Sequence, residues 1–350
     1  MKTKILSALL AAVLCITLMP AAQAVESGYS DVPADHWSAV NIERATQLGI
    51  FNGVGGGLFG FGQPISRAAF VTALVRMFGW ETVNTEKATF TDVAPDQWYF
   101  QAVETAVANN AVPAASRQFR PSDTLSRSEM AAMLMRALGY TSLAGTVSSY
   151  DCPFTDVVAN KGFITLAYDT GIISGMGDGT FAPNAPATRE QAATILVRLY
   201  DRLHAGSTAL SFADGRVLLR VETPAAVEGS ELPTTPLEPI VQLYDKLRTM
   251  KYSGQNMNDV VLVLCAGGVR TIVSTEGKIS SSERISQEDV RKILAGQMVR
   301  TYYSQRYESA YCVYEPNFYQ TVTVWYQSEQ SLAVKLQLAR MFGVTHYILE

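Results

Sequence analysis

The feature that most constrains the fold of this chain is a threefold internal repeat. An Asp-Val pair recurs at positions 31, 92 and 156, and an arginine directly after a Ser or Thr recurs at positions 67, 127 and 189. A single unit of about 55 residues buries too little apolar surface to be stable alone, so joined copies are expected to share one core. The repeat therefore predicts a single N-terminal body made of three similar parts.

Each copy has the same internal order, a short helix, a loop and a second helix. A polar residue suited to cap the first helix follows the Asp-Val pair, at Asp35, Asp96 and Asn160. That helix is predicted to stop at a residue type that accepts the left-handed conformation, at Gly49, Asn110 and Gly171. The loop carries a phenylalanine at the equivalent place in every copy, Phe59, Phe119 and Phe181. The second helix follows a Ser or Thr cap, at Ser66, Ser126 and Thr188, and runs to about positions 78, 138 and 199.

The recurring arginines stand at the unfavourable end of the second helix. The first turn of a helix carries a positive partial charge, which disfavours a cation by about 0.3–1 kcal/mol. An anion docked there would meet free backbone N–H groups and a two-pronged guanidinium, so Arg67, Arg127 and Arg189 are candidate anion-binding residues. The alternative is architectural: each arginine pairs with an Asp of the Asp-Val signature and holds the repeats together.

Other side chains are candidates for the same site. Asp31, Asp92 and Asp156 can orient the guanidinium that a ligand meets. Trp37 and Trp98 either stack on a sugar face or fill core, and core is favoured. Asp178 either accepts hydrogen bonds from sugar hydroxyls or shapes a turn.

Composition excludes several classes of partner. Residues 25–203 hold 12 Lys and Arg against 17 Asp and Glu, a net charge of −5, which excludes a broad basic patch for nucleic acid. Beyond the first 24 residues the cysteines are odd in number and lack metal-like spacing, so neither a disulfide scaffold nor a metal site is expected. A Cys265–Cys312 pair is left open beside the favoured interpretation of small buried hydrophobes. Nothing indicates a cofactor.

The N-terminus has the pattern of an export signal. Two lysines precede an apolar run from position 5 to about 18, and Ala22-Gln23-Ala24 fits a cleavage site. The mature chain is expected to begin at Val25 and to contain no membrane span.

Residues 28–203 resemble the S-layer homology (SLH) domain family. The likeness rests on F-x-D-V at positions 90–93 and 154–157, the tryptophan six residues after the Asp, G-x-G-D-G-x-F-x-P in the third copy, and the arginine-led start of the second helix. The resemblance implies a three-pronged pseudo-trimer in a monomeric chain. It also implies non-covalent attachment to an anionic, often pyruvylated, secondary cell-wall polysaccharide, hence a secreted protein at the cell wall and cell surface, associated with an S-layer.

No copy is complete: Gly56 and Ala69 replace acidic residues of the family pattern, the second copy lacks Gly-Asp-Gly, and Gly162 stands in place of a tryptophan. One or two working grooves between adjacent repeats are therefore expected.

These patterns divide the chain into six parts. They are a signal peptide at 1–24, repeats at 28–86, 87–147 and 148–203, a linker at 204–238 rich in Pro, Thr, Gly and Glu, and a domain at 239–350. In the last part, strands are predicted at 260–265, 321–326 and 345–349, and helices at 286–300 and 331–341. The predicted fold is three helical repeats forming a pseudo-trimer, followed by a small α/β domain.

Residues 281–350 resemble the closing portion of family 18 glycosidase barrels, mainly through the run from Trp325 to Arg340. The D-x-x-D-x-D-x-E strand with which that family hydrolyses glycans is missing from the sequence, and about 110 residues are too few for an eight-stranded barrel. The domain is therefore expected to be a degenerate, non-catalytic fragment, and the chain to be an anchor and not an enzyme. The alternative is a wall-targeted glycosidase acting on peptidoglycan or chitin-like glycans. Its tyrosines either line a glycan surface or, as favoured, pack within the domain; they are Tyr302, Tyr303, Tyr307, Tyr311 and Tyr314.

Overall fold

The computed structural model describes residues 28–212, 215–220, 240–264, 266–305 and 307–350. The predicted signal peptide, residues 221–238 of the predicted linker and Cys265 lie outside the described residues. Cys312 is buried with a free thiol, and Cys152 is a partly buried free thiol.

The N-terminal part is helical, as predicted. Its helices are α1 (Ala39–Gln47), α2 (Arg67–Phe78), α3 (Phe100–Ala108), α4 (Arg127–Ala137), α5 (Thr141–Val147), α6 (Lys161–Asp169) and α7 (Arg189–His204). Helices α1, α3 and α6 are the first helices of the three repeats, and α2, α4 and α7 are the second. The short helix α5, at the end of the second repeat, was not predicted.

Most of the local helix signals act as predicted. The Ser66 side chain accepts from the Ala69 N–H, and Ser126 forms a capping box with Glu129. The residues predicted to stop the first helices have φ of 69°, 59° and 73° at Gly49, Asn110 and Gly171. The predicted first caps are wrong in two copies: α1 begins after Ser38 and α3 after Tyr99. Asn160 does precede α6, but its side chain makes no capping hydrogen bond.

The repeats contact one another in a cycle. The second helix of each repeat packs on the first helix of the next, as α2 on α3, α4 on α6 and α7 on α1. Isolated backbone bridges join the starts of the second helices across repeats, Ser66 to Thr124, Ser126 to Pro186 and Pro64 to Thr188. The third repeat therefore returns to the first, and the three copies share one hydrophobic core.

The C-terminal part is an α/β domain with two sheets. Its elements are β1 (Thr208–Ala209), β2 (Val217–Arg220), α8 (Ile240–Tyr252), a 3₁₀ turn (Met257–Asp259), β3 (Val260–Leu264), β4 (Gly268–Ser274), β5 (Ile279–Ile285), α9 (Gln287–Leu294), β6 (Arg300–Ser304), β7 (Ser309–Asn317), β8 (Gln320–Tyr326), α10 (Glu329–Met341) and β9 (His346–Leu349). The first sheet is parallel, with strand order β1-β9-β3-β2, and the second is antiparallel, with order β5-β4-β8-β7-β6.

Two predictions for this part need correction. The helix predicted over 286–300 ends at Leu294, and the chain then enters β6. The predicted linker contains β1 and β2, which pair with β9 and β3. Residues 208–209 and 217–220 therefore belong to the C-terminal sheet.

A buried carboxylate fixes this domain against the third repeat. Asp169, at the end of α6, is fully buried and accepts hydrogen bonds from the Tyr244 and Tyr252 hydroxyls and from Arg248 Nε, all on α8. The Asp169–Arg248 separation is 2.9 Å. A charge so buried is tolerated only with several donors, so these groups define one docking geometry. In the described part of the chain, no helix is both long and apolar enough to cross a bilayer.

Candidate functional site

The aspartates of the Asp-Val pairs hold the loop of their own repeat. The Asp31 carboxylate accepts the backbone N–H groups of Phe59, Gly60 and Phe61 at 2.8, 2.8 and 2.9 Å. Asp92 and Asp156 each accept two equivalent bonds in the other copies, where Pro121 and Pro183 offer no third N–H group. Burial opposes ionisation of Asp31, but its backbone donors together outweigh burial and hold the pKa of this carboxyl below its usual value.

The three recurring arginines grip the same loops from the neighbouring repeat. Nε of Arg67, Arg127 and Arg189 donates to the phenylalanine carbonyl of the next loop, that of Phe119, Phe181 and Phe59, at 2.7, 2.9 and 2.9 Å. Each guanidinium carbon also lies 4.6–5.0 Å from the centre of that phenylalanine ring. Each loop is thus held by an aspartate of its own repeat and an arginine of its neighbour. Within the described residues, no ion pair joins these arginines to the Asp-Val aspartates.

The arginines differ in how their remaining nitrogens are used. Arg67 Nη1 pairs with Glu129 at 2.7 Å, and Arg127 Nη2 donates to the Ser174 carbonyl at 2.8 Å. Both arginines are buried, whereas Arg189 is only partly buried and donates Nη2 to the Asn52 carbonyl at 3.1 Å. Burial lowers the pKa of all three, but arginine stays charged. Arg189 is therefore the most accessible of the three.

A groove of about 320 Å³ lies beside Arg189, and we call it the Arg189 groove. Residues 50–54 of the first repeat form one wall, α2 supplies Arg76, and the second repeat supplies Trp98. Arg76 is exposed, the Trp98 side chain is 68% exposed, and the lining contains no carboxylate. All three repeats thus combine two guanidinium groups and an indole in one open cleft.

A larger depression of about 800 Å³ surrounds Arg67, Arg117 and Arg120. Two of these arginines are already neutralised. Arg67 and Arg120 both pair with Glu129, at 2.7 and 3.1 Å, and Arg120 also lies 3.5 Å from Asp123. This depression contains three arginines, against two in the Arg189 groove. Only Arg117 among its three forms no ion pair with a described residue, whereas both arginines of the Arg189 groove are unpaired in this sense.

The third repeat lacks the tryptophan for a packing reason. Gly162 occupies the position of Trp37 and Trp98, six residues after the Asp, and α5 covers it. A Cβ on Gly162 would lie 1.8 Å from the Ala144 carbonyl oxygen, a distance no side chain can adopt. The unpredicted helix α5 therefore removes the third tryptophan site.

The exposed tryptophans correct the interpretation favoured from sequence. Trp37 is 56% exposed, and Trp98 lies at the edge of the Arg189 groove, so neither fills core. Asp178 shapes its turn, because its Oδ1 accepts the backbone N–H and the hydroxyl of Thr180 at 3.0 and 2.6 Å.

One functional candidate was missed by sequence reasoning. Arg76 follows Arg67 by nine residues, and the same spacing gives Arg136 and Arg198 after the other two arginines. This second recurring arginine was visible in the sequence and could have identified Arg76 as a candidate. The three copies nonetheless diverge in space, since Arg136 lies over the Phe163 ring at 4.5 Å.

The tyrosines of the second sheet pack mainly on their neighbours. Tyr302, Tyr311 and Trp325 form a cross-strand row, with ring centroids 5.1 and 4.4 Å apart and interplanar angles of 21° and 31°. Rings stacked in this way present their faces to one another and not to a ligand. This arrangement favours packing within the domain as the role of these tyrosines, and not a flat surface for binding sugars.

Comparison with known proteins defines the class of the N-terminal part. The S-layer homology domain family matches residues 28–71, 89–131 and 153–193. The N-terminal part therefore contains three SLH domains.

The curated relatives include surface proteins and enzymes. The surface layer protein of Brevibacillus choshinensis is 32% identical over 141 residues, 39% of this chain and 13% of that protein. The amylopullulanase of Thermoanaerobacterium thermosulfurigenes is 28% identical over 174 residues, 48% of this chain and 9% of the enzyme. This chain thus spans only about a tenth of the length of these relatives, and its SLH domains place it among wall-associated surface proteins.

The solved structures that align with part of this chain include a glycosidase. The chitinase of Chromobacterium violaceum aligns over 35% of this chain and 37% of the enzyme, at 15% identity and a TM-score of 0.29. This score supports no conclusion about activity.

Proposed function

We propose that the SLH domains anchor this chain non-covalently to the cell wall by holding a negatively charged saccharide, and that they display a non-catalytic C-terminal domain. The observation that carries the proposal is the Arg189 groove, in which two guanidinium groups and an exposed indole face solvent without a carboxylate. A pyruvylated sugar of the secondary wall polysaccharide combines a carboxylate with a carbohydrate face. It therefore fits this groove in both charge and shape.

Each group in the groove has a distinct task in this proposal. Arg76, exposed on α2, reaches the carboxylate with a two-pronged hydrogen bond. Arg189 uses Nε and Nη2 on carbonyls of the first repeat, so its remaining Nη1 is the nitrogen left for the ligand. Trp98 covers the apolar face of the sugar ring.

The three recurring arginines have the architectural role, but through phenylalanine carbonyls and not through the Asp-Val aspartates. Their Nε atoms hold neighbouring loops, which supports a pseudo-threefold arrangement of the domains. Only Arg189, the least buried of them, also faces a groove whose arginines form no ion pair with any described residue. We therefore propose the Arg189 groove as the principal site, with Asp31, Asp92 and Asp156 acting through the loops and not on the ligand.

Sedimentation with purified cell walls tests the proposal. Arg76→Ala and Trp98→Ala should each reduce the bound fraction of the mature chain, because each removes a ligand contact. The exposed Trp98 ring packs edge-on against its neighbour Tyr99, so its removal disturbs little else. Arg117→Ala is the matched control, since Arg117 is an exposed arginine of the Arg67 depression. Walls stripped of their secondary polymer should retain none of these proteins. Equal sedimentation with intact and stripped walls would refute saccharide anchoring. An Arg117→Ala variant that loses as much wall binding as Arg76→Ala would refute the Arg189 groove as the binding site.

The sequence supports a non-catalytic C-terminal domain. The family 18 hydrolytic motif is missing from the sequence. Glu350, which follows the last strand of the parallel sheet, pairs with Arg220, and the hydrogen bond from Arg220 lowers the pKa of this carboxyl. A general acid for glycoside cleavage needs a raised pKa, so Glu350 does not fit that role. Burial raises the pKa of Glu308, but this carboxylate already accepts the Tyr303 hydroxyl at 2.8 Å. Release of reducing ends from peptidoglycan or chitin oligosaccharides by the mature chain would contradict this part of the proposal alone.

A further inference from the structure

A second basic cavity lies between the third SLH domain and the C-terminal domain, and we call it the interdomain cavity. It measures about 420 Å³ and is lined by residues from the ends of α7 and α10 and from the segments leading into β3 and β9. Arg198, Arg202 and Arg340 lie in its lining, with Asp201 as the single acid. It is separate from the Arg189 groove, with which it shares no lining residue.

The acid of this cavity is already engaged. Asp201 pairs with Arg44 of the first repeat at 2.6 Å, so it leaves the three lining arginines uncompensated. A further cation borders the cavity: the position of a Cβ on Gly171 lies 3.5 Å from Arg202 Nη2 and 3.7 Å from Lys251 Nζ. Several positive charges are thus gathered in a small space.

Arg202 on α7 and Arg340 on α10 are each held in place by carbonyl groups of the other helix. Arg202, on α7, donates to the carbonyl of Arg340 at 3.4 Å and to that of Met341, at the end of α10. Arg340 Nη1 donates in return to the Leu203 carbonyl near the end of α7, at 3.1 Å. Their acceptors are neutral carbonyls, and each helix C-terminus supplies only about half a negative charge.

These arginines retain unused capacity. Arg340 Nε is buried without a hydrogen-bond partner in the described part of the chain. Burial lowers the pKa of Arg202, and no acidic neighbour offsets the effect. Arg198 is exposed and has no hydrogen-bond or ion-pair partner among residues 28–212, 215–220, 240–264, 266–305 and 307–350. The cavity therefore combines two arginines that are already held in position, Arg202 and Arg340, with the exposed guanidinium of Arg198.

The charge balance selects the ligand. The three arginines and Lys251 face three helix C-termini, because Lys251 donates to the Asp169 carbonyl at the end of α6. With Asp201 assigned to Arg44, an excess of about two to three positive charges is left. A dianion matches most of this excess, whereas a single carboxylate leaves at least half of it unmatched. We propose that the interdomain cavity binds a phosphate-type dianion, either inorganic phosphate or a sugar phosphate monoester, which ties the third SLH domain to the C-terminal domain.

Calorimetry and thermal unfolding of the mature chain test this proposal at constant ionic strength. Inorganic phosphate should bind one to one and raise the transition midpoint, while acetate should bind at least tenfold more weakly. Glucose 6-phosphate is the second arm: tighter binding than phosphate indicates a sugar phosphate as ligand, and weaker binding indicates free phosphate. Equal affinity for acetate and phosphate, or no binding of phosphate, would overturn the assignment.

Two variants locate the site. Arg198→Gln should weaken phosphate binding at least fivefold without lowering the transition midpoint measured without phosphate, because the Arg198 side chain has no partner among the described residues. Arg117→Gln is the matched control and should leave phosphate affinity unchanged, because Arg117 is equally exposed but lies outside both the interdomain cavity and the Arg189 groove. Phosphate affinity that survives Arg198→Gln, or that is lost in Arg117→Gln, would refute the interdomain site. Neither result bears on wall anchoring.

Discussion

Replacing Arg127 by alanine tests whether the recurring arginines stabilise the joined repeats. The substitution removes the hydrogen bond to the buried Phe181 carbonyl and the guanidinium–ring contact at 4.6 Å. A hydrogen bond from a charged donor contributes about 1.5–3 kcal/mol, and the ring contact adds about 0.5–1 kcal/mol. The Ser174 carbonyl belongs to an exposed residue and can be rehydrated, so its bond adds little. Recovered solvation of the arginine in the unfolded chain offsets part of this sum, and we expect a net loss of about 2–3 kcal/mol.

Urea unfolding of the mature chain, followed by far-UV circular dichroism, measures this loss. Arg117→Ala is the control, because the exposed Arg117 makes no described side-chain contact and should cost about 0.5 kcal/mol or less. Arg127→Lys should fall between the two, since it keeps the charge but loses the planar fork. An Arg127→Ala variant as stable as Arg117→Ala would show that the contact between this arginine and the loop of the next repeat does not stabilise the joined repeats.

Three further changes test other parts of the structure. Gly162→Ala should destabilise the chain by about 1–3 kcal/mol or more in urea unfolding, because the new Cβ overlaps the Ala144 carbonyl; unchanged stability would show that α5 does not pack there. The folded-state pKa of Asp31 is lowered, so its contribution is present above the unfolded value near pH 4 and is lost as the pH falls through the folded value. Asp31→Asn should therefore flatten the loss of stability below pH 4 in a pH series of urea midpoints, and a parallel pH profile would contradict this. Asp169→Asn leaves Arg248 without its buried counter-charge and should cost about 3–5 kcal/mol; a midpoint shift no larger than that of Arg117→Ala would argue against the docking described here.

The sequence predicted the parts of the fold that depend on neighbouring residues. Ser66 and Ser126 cap their helices, and Gly49 and Gly171 end theirs, because caps and left-handed residues act within one helical turn. The strand at 260–264 was found for a similar reason, since an unbroken apolar run indicates a buried strand whatever its partners. The wrong helix end beyond Leu294 arose where pairing with β7 overrode local propensity.

By itself, the sequence determined that this protein has three SLH domains, each a helix, a loop and a helix led by an arginine. Only the tertiary structure decided that the arginines clasp phenylalanine carbonyls of the next repeat, that Trp98 faces solvent, and that Arg76 joins it in a groove. It also showed that residues 208–209 and 217–220 complete a distant sheet. The physical reason is distance along the chain: a cap is satisfied by residues three positions away, whereas each of these contacts joins segments that are distant in the sequence and meet only when the units they belong to have packed.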